Sequence, residues 1–223
     1  MMCNEIIQVV SDMILTQKMT NQPFVVGING KDGSGKTFFA KLLTEYLSDM
    51  GKSVVNISID DFHNPKATRY SKGRDSAQGY YYDSMNFEEF KLKTLQPIKN
   101  ASSFPLKICT KIFDLNSDKK QIIESTISKD TLVIIEGVFL FKPEMLNLYD
   151  LKILIDVDTQ LRIERMIQRD IPNDSSKEDA ESYKSRIEKK YIPGQDIYFA
   201  ECDPLKNSDI VINNNDYQNP EIA

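Results

Sequence analysis

Gly30, Gly35, Lys36 and Thr37 stand at the spacing G-x-x-x-x-G-K-[ST] inside GINGKDGSGKTFFAKLL, residues 27–43. These residue types at this spacing make a phosphate cradle, in which loop N–H groups and the positive end of a following helix surround phosphate oxygens. Lys36 would reach the β- and γ-phosphates, and the Thr37 hydroxyl would hold Mg²⁺. Gly27, Gly30, Gly33 and Gly35 are four of only nine glycines in the chain. Glycine crowds where the backbone needs positive φ or where another molecule comes close to it. Gly30, Lys31, Asp32, Gly33, Ser34, Gly35, Lys36 and Thr37 are therefore the candidate nucleotide-binding loop.

Phosphoryl transfer to an alcohol also needs a carboxylate to orient or deprotonate the hydroxyl, a metal to neutralise the phosphates, and cations on the migrating group. IDDFH (59–63) supplies two carboxylates. Asp60 is the better base because it continues the preceding strand directly; an acidic helix cap or Asx turn is the alternative. Glu136 ends the run LVIIEG, where it either binds Mg²⁺, directly or through water, or is a solvated strand end. Arg162, Arg165 and Arg169 recur at i, i+3 and i+7 on one helix face, with Ile163, Met166 and Ile167 on another. Such a face either closes over ATP or is an ordinary solvated face paired at small gain with Glu164 and Asp170. By itself His63 reads as an exposed loop histidine.

The elements that must position these groups alternate. PFVVGIN is a short apolar, β-branched run, as in a buried strand, and Phe38, Phe39, Leu42, Leu43, Tyr46, Leu47 and Met50 then recur at helical spacing up to Gly51. KSVVNISIDDF, TLVIIEGVFLF, LKILIDVD and SDIVINN supply four further strands. Helical patterns over 87–96, 159–170 and 177–190 separate them. Alternating β and α predicts a mostly parallel sheet covered on both faces. In such sheets ligands gather beyond the carboxyl ends of the strands, and that rule collects the phosphate loop, Asp60, Asp61 and Glu136 at one edge. Residues 64–84 lack periodicity and read as a functional loop, residues 104–125 as an inserted hairpin, and 214–223 as a frayed tail.

At 223 residues the chain suits a single domain, 1–223, with an N-terminal amphipathic helix within 1–22. Cys3, Cys109 and Cys202 are odd in number and scattered, which fits neither a disulfide framework nor a zinc site and points to a reducing cytoplasm. No run reaches membrane-spanning length. A net charge of −5, with Lys and Arg interleaved among acids, argues against nucleic-acid and membrane partners. The oligomeric state is left open, a homo-oligomer included.

GINGKDGSGKT, SIDDFH, IIEG and RIERMIQRD, in that order between residues 24 and about 171, resemble the uridine kinase and phosphoribulokinase group of P-loop kinases. The resemblance implies a P-loop NTPase fold: three α/β/α layers, a five-stranded parallel sheet in order 2-3-1-4-5, the hairpin insertion and a helical lid over 158–190. Asp60 falls on the first Asp of the group's D-S-F-Y, its base, and is placed by the same likeness near the metal. His63 replaces the Tyr, as in the D-S-F-H of phosphoribulokinases, on the acceptor side. Asp83 in YYDSMNF resembles the aspartate that binds ribose hydroxyls in F-D-H-P. Arg162, Arg165, Arg169 and Asp170 fall on the lid pattern R-L-S-R-R-V-x-R-D, which implies that Arg162 contacts the nucleotide and that Arg165 and Arg169 act on the transferring group.

Two stretches depart from the group. FDLNSDK, from Phe113, carries Asp118 where Y-D-F-x-x-H-x-R has the base-binding His, and YIPGQDIYFAECDP (191–204) has no counterpart. The implied activity is transfer of the γ-phosphate of Mg²⁺·ATP to a small-molecule alcohol, foremost a nucleoside such as uridine or cytidine at its 5′-hydroxyl. Pantothenate or a sugar phosphate as acceptor is the alternative within enzymes, and a nucleotide-binding switch is the alternative outside them. The N-K-x-D signature of guanine-nucleotide switches and the H-R-D-type loop of protein kinases are both absent.

Overall fold

All seven residues of the first apolar run, Phe24–Gly30 (β1), are buried, because this strand lies in the middle of a sheet with helices on both faces. The computed structural model describes residues 3–18, 21–172 and 176–223. Helix α1 (Cys3–Gln17) precedes β1, and α2 (Lys36–Asp49) and β2 (Val54–Ser58) follow it. A 3₁₀ turn at Ile59–Phe62 leads to the short helices α3 (Lys66–Arg69) and α4 (Ala77–Asp83). Next come α5 (Phe87–Phe90) and α6 (Gln96–Asn100), then the hairpin β3 (Leu106–Asp114) and β4 (Lys119–Ile127). The chain returns to the sheet with β5 (Leu132–Gly137) and β6 (Leu151–Asp156). Helices α7 (Thr159–Asp170), α8 (Lys177–Arg186) and α9 (Ile192–Cys202) precede the edge strands β7 (Ile210–Asn213) and β8 (Glu221–Ile222).

The sheet order is β2-β5-β1-β6-β7-β8. Its first five strands are parallel and, hairpin aside, follow the order 2-3-1-4-5. The sixth is a correction to the expected five: the tail turns back, and Ile222 pairs antiparallel with Ile212. Alternation along the strands divides the core. Val26, Ile28 and Ile134 face α1 and α2, packing on Val10, Leu43 and Leu47, whereas Val25, Val133 and Ile135 face Phe62, Phe139 and Tyr198 on the other side.

The region 64–84 also differs from its loop reading, because α4 forms within it. Ser76 caps α4 by accepting from the Gly79 N–H at 3.0 Å, and Tyr80 and Tyr81 of this helix are buried. The helical patterns 87–96 and 177–190 run further than expected, past Pro97 and Pro193. In each case a π-helical turn, Lys91–Leu95 or Ile187–Tyr191, precedes the proline and absorbs the missing N–H.

β5 must end on glycine. Gly137 has φ +152°, and a Cβ there would lie 2.1 Å from Ile59 Cγ2. Gly137 and Ile59 together hold the ends of β5 and β2 side by side. Gly137→Ala is expected to cost about 1–3 kcal/mol, which a thermal melt should read as a Tm lower by roughly 3–10 °C.

Candidate active site

The phosphate loop leaves β1 at Gly30 and enters α2 at Lys36. Gly33 and Gly35 take φ of +77° and +95°, which only glycine adopts without strain. A Cβ at Gly33 would meet the Arg162 carbonyl oxygen at 2.7 Å, so the loop lies directly against α7. Gly35 caps α2 with no side-chain hydrogen bond, leaving the first N–H groups of a 14-residue helix to face outward. In front of them is a cavity of about 330 Å³, whose walls include Lys36, Thr37, Asp60, Glu136, Arg165 and Arg169. With Asp32, Gly33 and Gly35, which line it too, nine sequence-derived candidates thus meet in one place, at the carboxyl ends of β1, β2 and β5.

Within the cavity Thr37 Oγ1 donates to Glu136 Oε2 at 3.1 Å, and Lys36 Nζ donates to the Lys31 carbonyl at 3.0 Å, bridging its own loop. Glu136 is buried, and burial raises its carboxyl above the ordinary value against the pull of Lys36. Asp60 stands on the 3₁₀ turn after β2, its tip open to the cavity. Desolvation by the surrounding protein raises its carboxyl, the Asp32 charge adds to the rise, and Lys36 opposes it. Asp61 points elsewhere, to Lys111 Nζ at 3.0 Å on the hairpin.

The residues on the loop and α7 divide their tasks. Lys31 turns toward α9, 4.3 Å from the Phe199 ring centroid and 3.8 Å from Asp196. Arg162 does not line the cavity. It is 2 % exposed and lies beneath the loop, donating to Asp32 O (3.1 Å), Gln195 Oε1 (3.0 Å) and Thr159 Oγ1 (3.3 Å). Arg162→Leu should leave these acceptors unpartnered in the interior and cost about 2–4 kcal/mol, measurable as a reduced midpoint in urea unfolding.

The acceptor-side candidates are not all gathered. His63 Nδ1 donates to the Asp60 carbonyl at 2.7 Å, and burial keeps the imidazole below its ordinary pKa. His63 lines a second, smaller cavity of about 180 Å³ together with Asn86, Phe113, Asp118 and Lys120. Asp118 there is engaged by Arg69 Nη2 at 3.3 Å and by the Lys66 N–H at 3.0 Å. Asp83 lines neither cavity; it ends α4 and forms an ion pair with Lys72 at 2.7 Å.

Sequence reasoning missed the residues that hold the loop from behind. Asp32 Oδ2 accepts from Tyr80 OH at 2.5 Å and from Gln195 Nε2 at 2.7 Å. Tyr198 OH accepts from Asn29 Nδ2 (3.0 Å) and from the Phe141 N–H (2.9 Å). Gln195 and Tyr198 both belong to YIPGQDIYFAECDP, whose lack of a counterpart was the only signal that the sequence offered.

The chain matches the model of the phosphoribulokinase / uridine kinase family over residues 25–215. It belongs to this family. A uridine kinase of Ligilactobacillus salivarius is 27% identical over 194 residues, 86% of this chain and 85% of that protein. A uridine kinase of a Geobacillus strain is 31% identical over 157 residues, 69% of this chain and 70% of that protein. Among solved structures, a possible uridine kinase from Bacillus stearothermophilus superposes with a TM-score of 0.73 at 24% identity, covering 95% of this chain and 99% of that one. A D-glycerate 3-kinase from Cryptococcus neoformans shares the fold at a TM-score of 0.60 and 14% identity, covering 85% and 87%. The protein is a small-molecule kinase of the P-loop type. No helix among the described residues is long and apolar enough to cross a membrane.

Proposed function

We propose that this kinase moves the γ-phosphoryl group of ATP to a hydroxyl of a nucleoside, uridine or cytidine at the 5′ position. One observation carries the transfer chemistry: Asp60 and the phosphate loop open into a single cavity, so a base and a phosphate cradle face the same space. The acceptor class is supported by the uridine kinases among the relatives.

The residues present fit a polyphosphate with a hard cation. The α2 N-terminus is free of side-chain caps, Lys36 lies beside it, and Thr37 and Glu136 offer adjacent oxygen ligands. Thr37 and Glu136, with Asp60 near them, would hold Mg²⁺, which when bound neutralises charge on the β- and γ-phosphates. Among the described residues no three or more His, Cys, Asp or Glu side chains converge as a metal site, and a Mg²⁺ held by one or two carboxylates plus phosphate needs no such cage. Lys36 would bind the β- and γ-phosphates, Asp60 would take the proton of the attacking hydroxyl, and Arg165 and Arg169 would face the migrating group.

A second reading is favoured by Asp118. An acid bound to Arg69 occupies the hairpin position where the family pattern carries its base-binding His, and a buried polar site remade in this way selects a different partner by orders of magnitude. In that reading the acceptor is another alcohol, such as pantothenate or a sugar phosphate. Coupled ADP release over uridine, cytidine, pantothenate and sugar phosphates separates the two: pyrimidine-dependent turnover supports the first, and turnover confined to the others overturns it.

A further inference from the structure

An acidic side chain in a phosphate cradle calls for explanation. Asp32 sits between Lys31 and Gly33 of the loop and forms part of the wall of the main cavity, where its charge opposes that of a polyphosphate. The fold nonetheless fixes it there. Tyr80 from α4 and Gln195 from α9 both donate to Oδ2, while Arg162 from α7 donates to the Asp32 carbonyl and to Gln195. Tyr80 and Gln195 are themselves buried, and Gly194 permits the contact, since a Cβ there would lie 2.7 Å from the Tyr80 ring. Two helices thus hold one of the two carboxylate oxygens, and a third holds the backbone of the same residue. Among the described residues Oδ1 receives no hydrogen bond from the protein.

We propose that Asp32 is a specificity-determining residue that accepts a hydrogen bond from the acceptor through Oδ1, beside the hydroxyl that Asp60 activates. The inference rests on the kinase reading above and narrows it. The acceptor carries a second donor, a hydroxyl or an N–H group, within reach of the reacting hydroxyl. Asp83, to which the family resemblance gave a hydroxyl-binding role, is ion-paired with Lys72 outside the cavity, whereas Asp32 is inside it.

Asp32→Asn is a discriminating variant. The amide oxygen can still accept from Tyr80 and Gln195, so the scaffold is retained, while an NH₂ replaces the oxygen to which the acceptor's donor is assigned. The wild type is first assayed for ADP release with uridine, cytidine, pantothenate and ribose 5-phosphate, and the fastest of these is used as the probe. With it, Asp32→Asn should raise the acceptor KM about 10- to 100-fold, the usual loss for one hydrogen bond to a charged group. The KM for ATP should stay the same or fall, because a negative charge has left the cradle. Asp32→Ser, which drops the carboxylate altogether, should show the same split, and thermal melts identify the folded variants.

A rise in the ATP KM with an unchanged acceptor KM would mean that Asp32 only shapes the loop, and would overturn the proposal. So would acceptor kinetics within twofold of wild type in both variants. A wild type that turns over none of the four acceptors overturns the acceptor classes proposed above and this inference together, which distinguishes that failure from the failure of Asp32 alone.

Discussion

Asp60→Asn should lower kcat about 10²–10⁴-fold, the usual span for loss of a general base, while ATP affinity measured by titration stays near that of wild type. The carboxylate and the amide have nearly the same shape, so the phosphate loop is undisturbed and only proton acceptance is lost. Asp61→Asn should do far less, because Asp61 is turned to Lys111 on the hairpin. If the two effects were exchanged, the base would be Asp61. The acidic limb of the kcat/KM profile should also lie above about 3.9, the ordinary aspartate value, because desolvation and the Asp32 charge hold the Asp60 carboxyl high.

The same raised pKa has a sign in stability. A carboxyl whose folded pKa exceeds its unfolded pKa favours the folded state when protonated, so that contribution is present at low pH and is lost as pH rises through the folded value. The ionised carboxylate is the form that the folded state disfavours, so Asp60→Asn should melt no lower than wild type. A variant that loses most of its turnover and keeps or gains thermal stability has lost function, not structure.

The phosphate loop was legible because its chemistry is local: Gly30, Gly33, Gly35, Lys36 and Thr37 lie within eight consecutive residues, from the end of β1 to the start of α2. Asp60 and Glu136 were legible because strand ends in a parallel sheet share one edge, so their positions followed from the apolar runs before them. What stayed hidden was tertiary. The spacing of Arg162, Arg165 and Arg169 puts them on one helical face, yet the loop packs on the first of them, burying Arg162 while leaving the other two at the cavity. The bond from Gln195 to Asp32 spans 163 residues of chain, and no periodicity encodes it. The helix α4 was hidden among polar residues, since Tyr80 and Tyr81 bury their rings while keeping hydroxyls that form hydrogen bonds, that of Tyr80 to Asp32. Asp83 was misleading for a related reason: the motif placed it, but the side chain that meets it, Lys72, comes from a loop with no pattern of its own.

Of the two arginines at the cavity, Arg165 should carry the larger catalytic effect. A group that stabilises charge developing on the migrating phosphoryl must be preorganised and must keep its own charge uncompensated. Arg165 Nη2 donates to the backbone carbonyls of Asn214 (3.0 Å) and Asn215 (2.9 Å), neutral partners that fix the guanidinium without cancelling it. Arg169 instead forms a bidentate pair with Asp170, at 2.7 and 2.8 Å, and Asp170 also receives the Tyr183 hydroxyl. Its charge is already balanced in this geometry. Arg165→Ala should therefore reduce kcat about 10³–10⁵-fold, the range of an arginine acting on a transferring phosphoryl, with a much smaller change in ATP affinity. Loss of the two carbonyl bonds should cost the fold about 1–3 kcal/mol, so a melt will register it, but a factor of 10³ in rate needs about 4 kcal/mol at the transition state alone. The rate loss must exceed what the stability loss explains. Arg169→Ala should be milder, since the ion pair it removes is exposed and worth about 0–1 kcal/mol. Arg165→Lys should recover only part of the rate, because a lysine retains the charge but cannot bridge two carbonyls and still present a planar fork to the phosphoryl oxygens. Turnover within a few-fold of wild type in both alanine variants would make the arginines a solvated face and leave Lys36 as the cation on the migrating group.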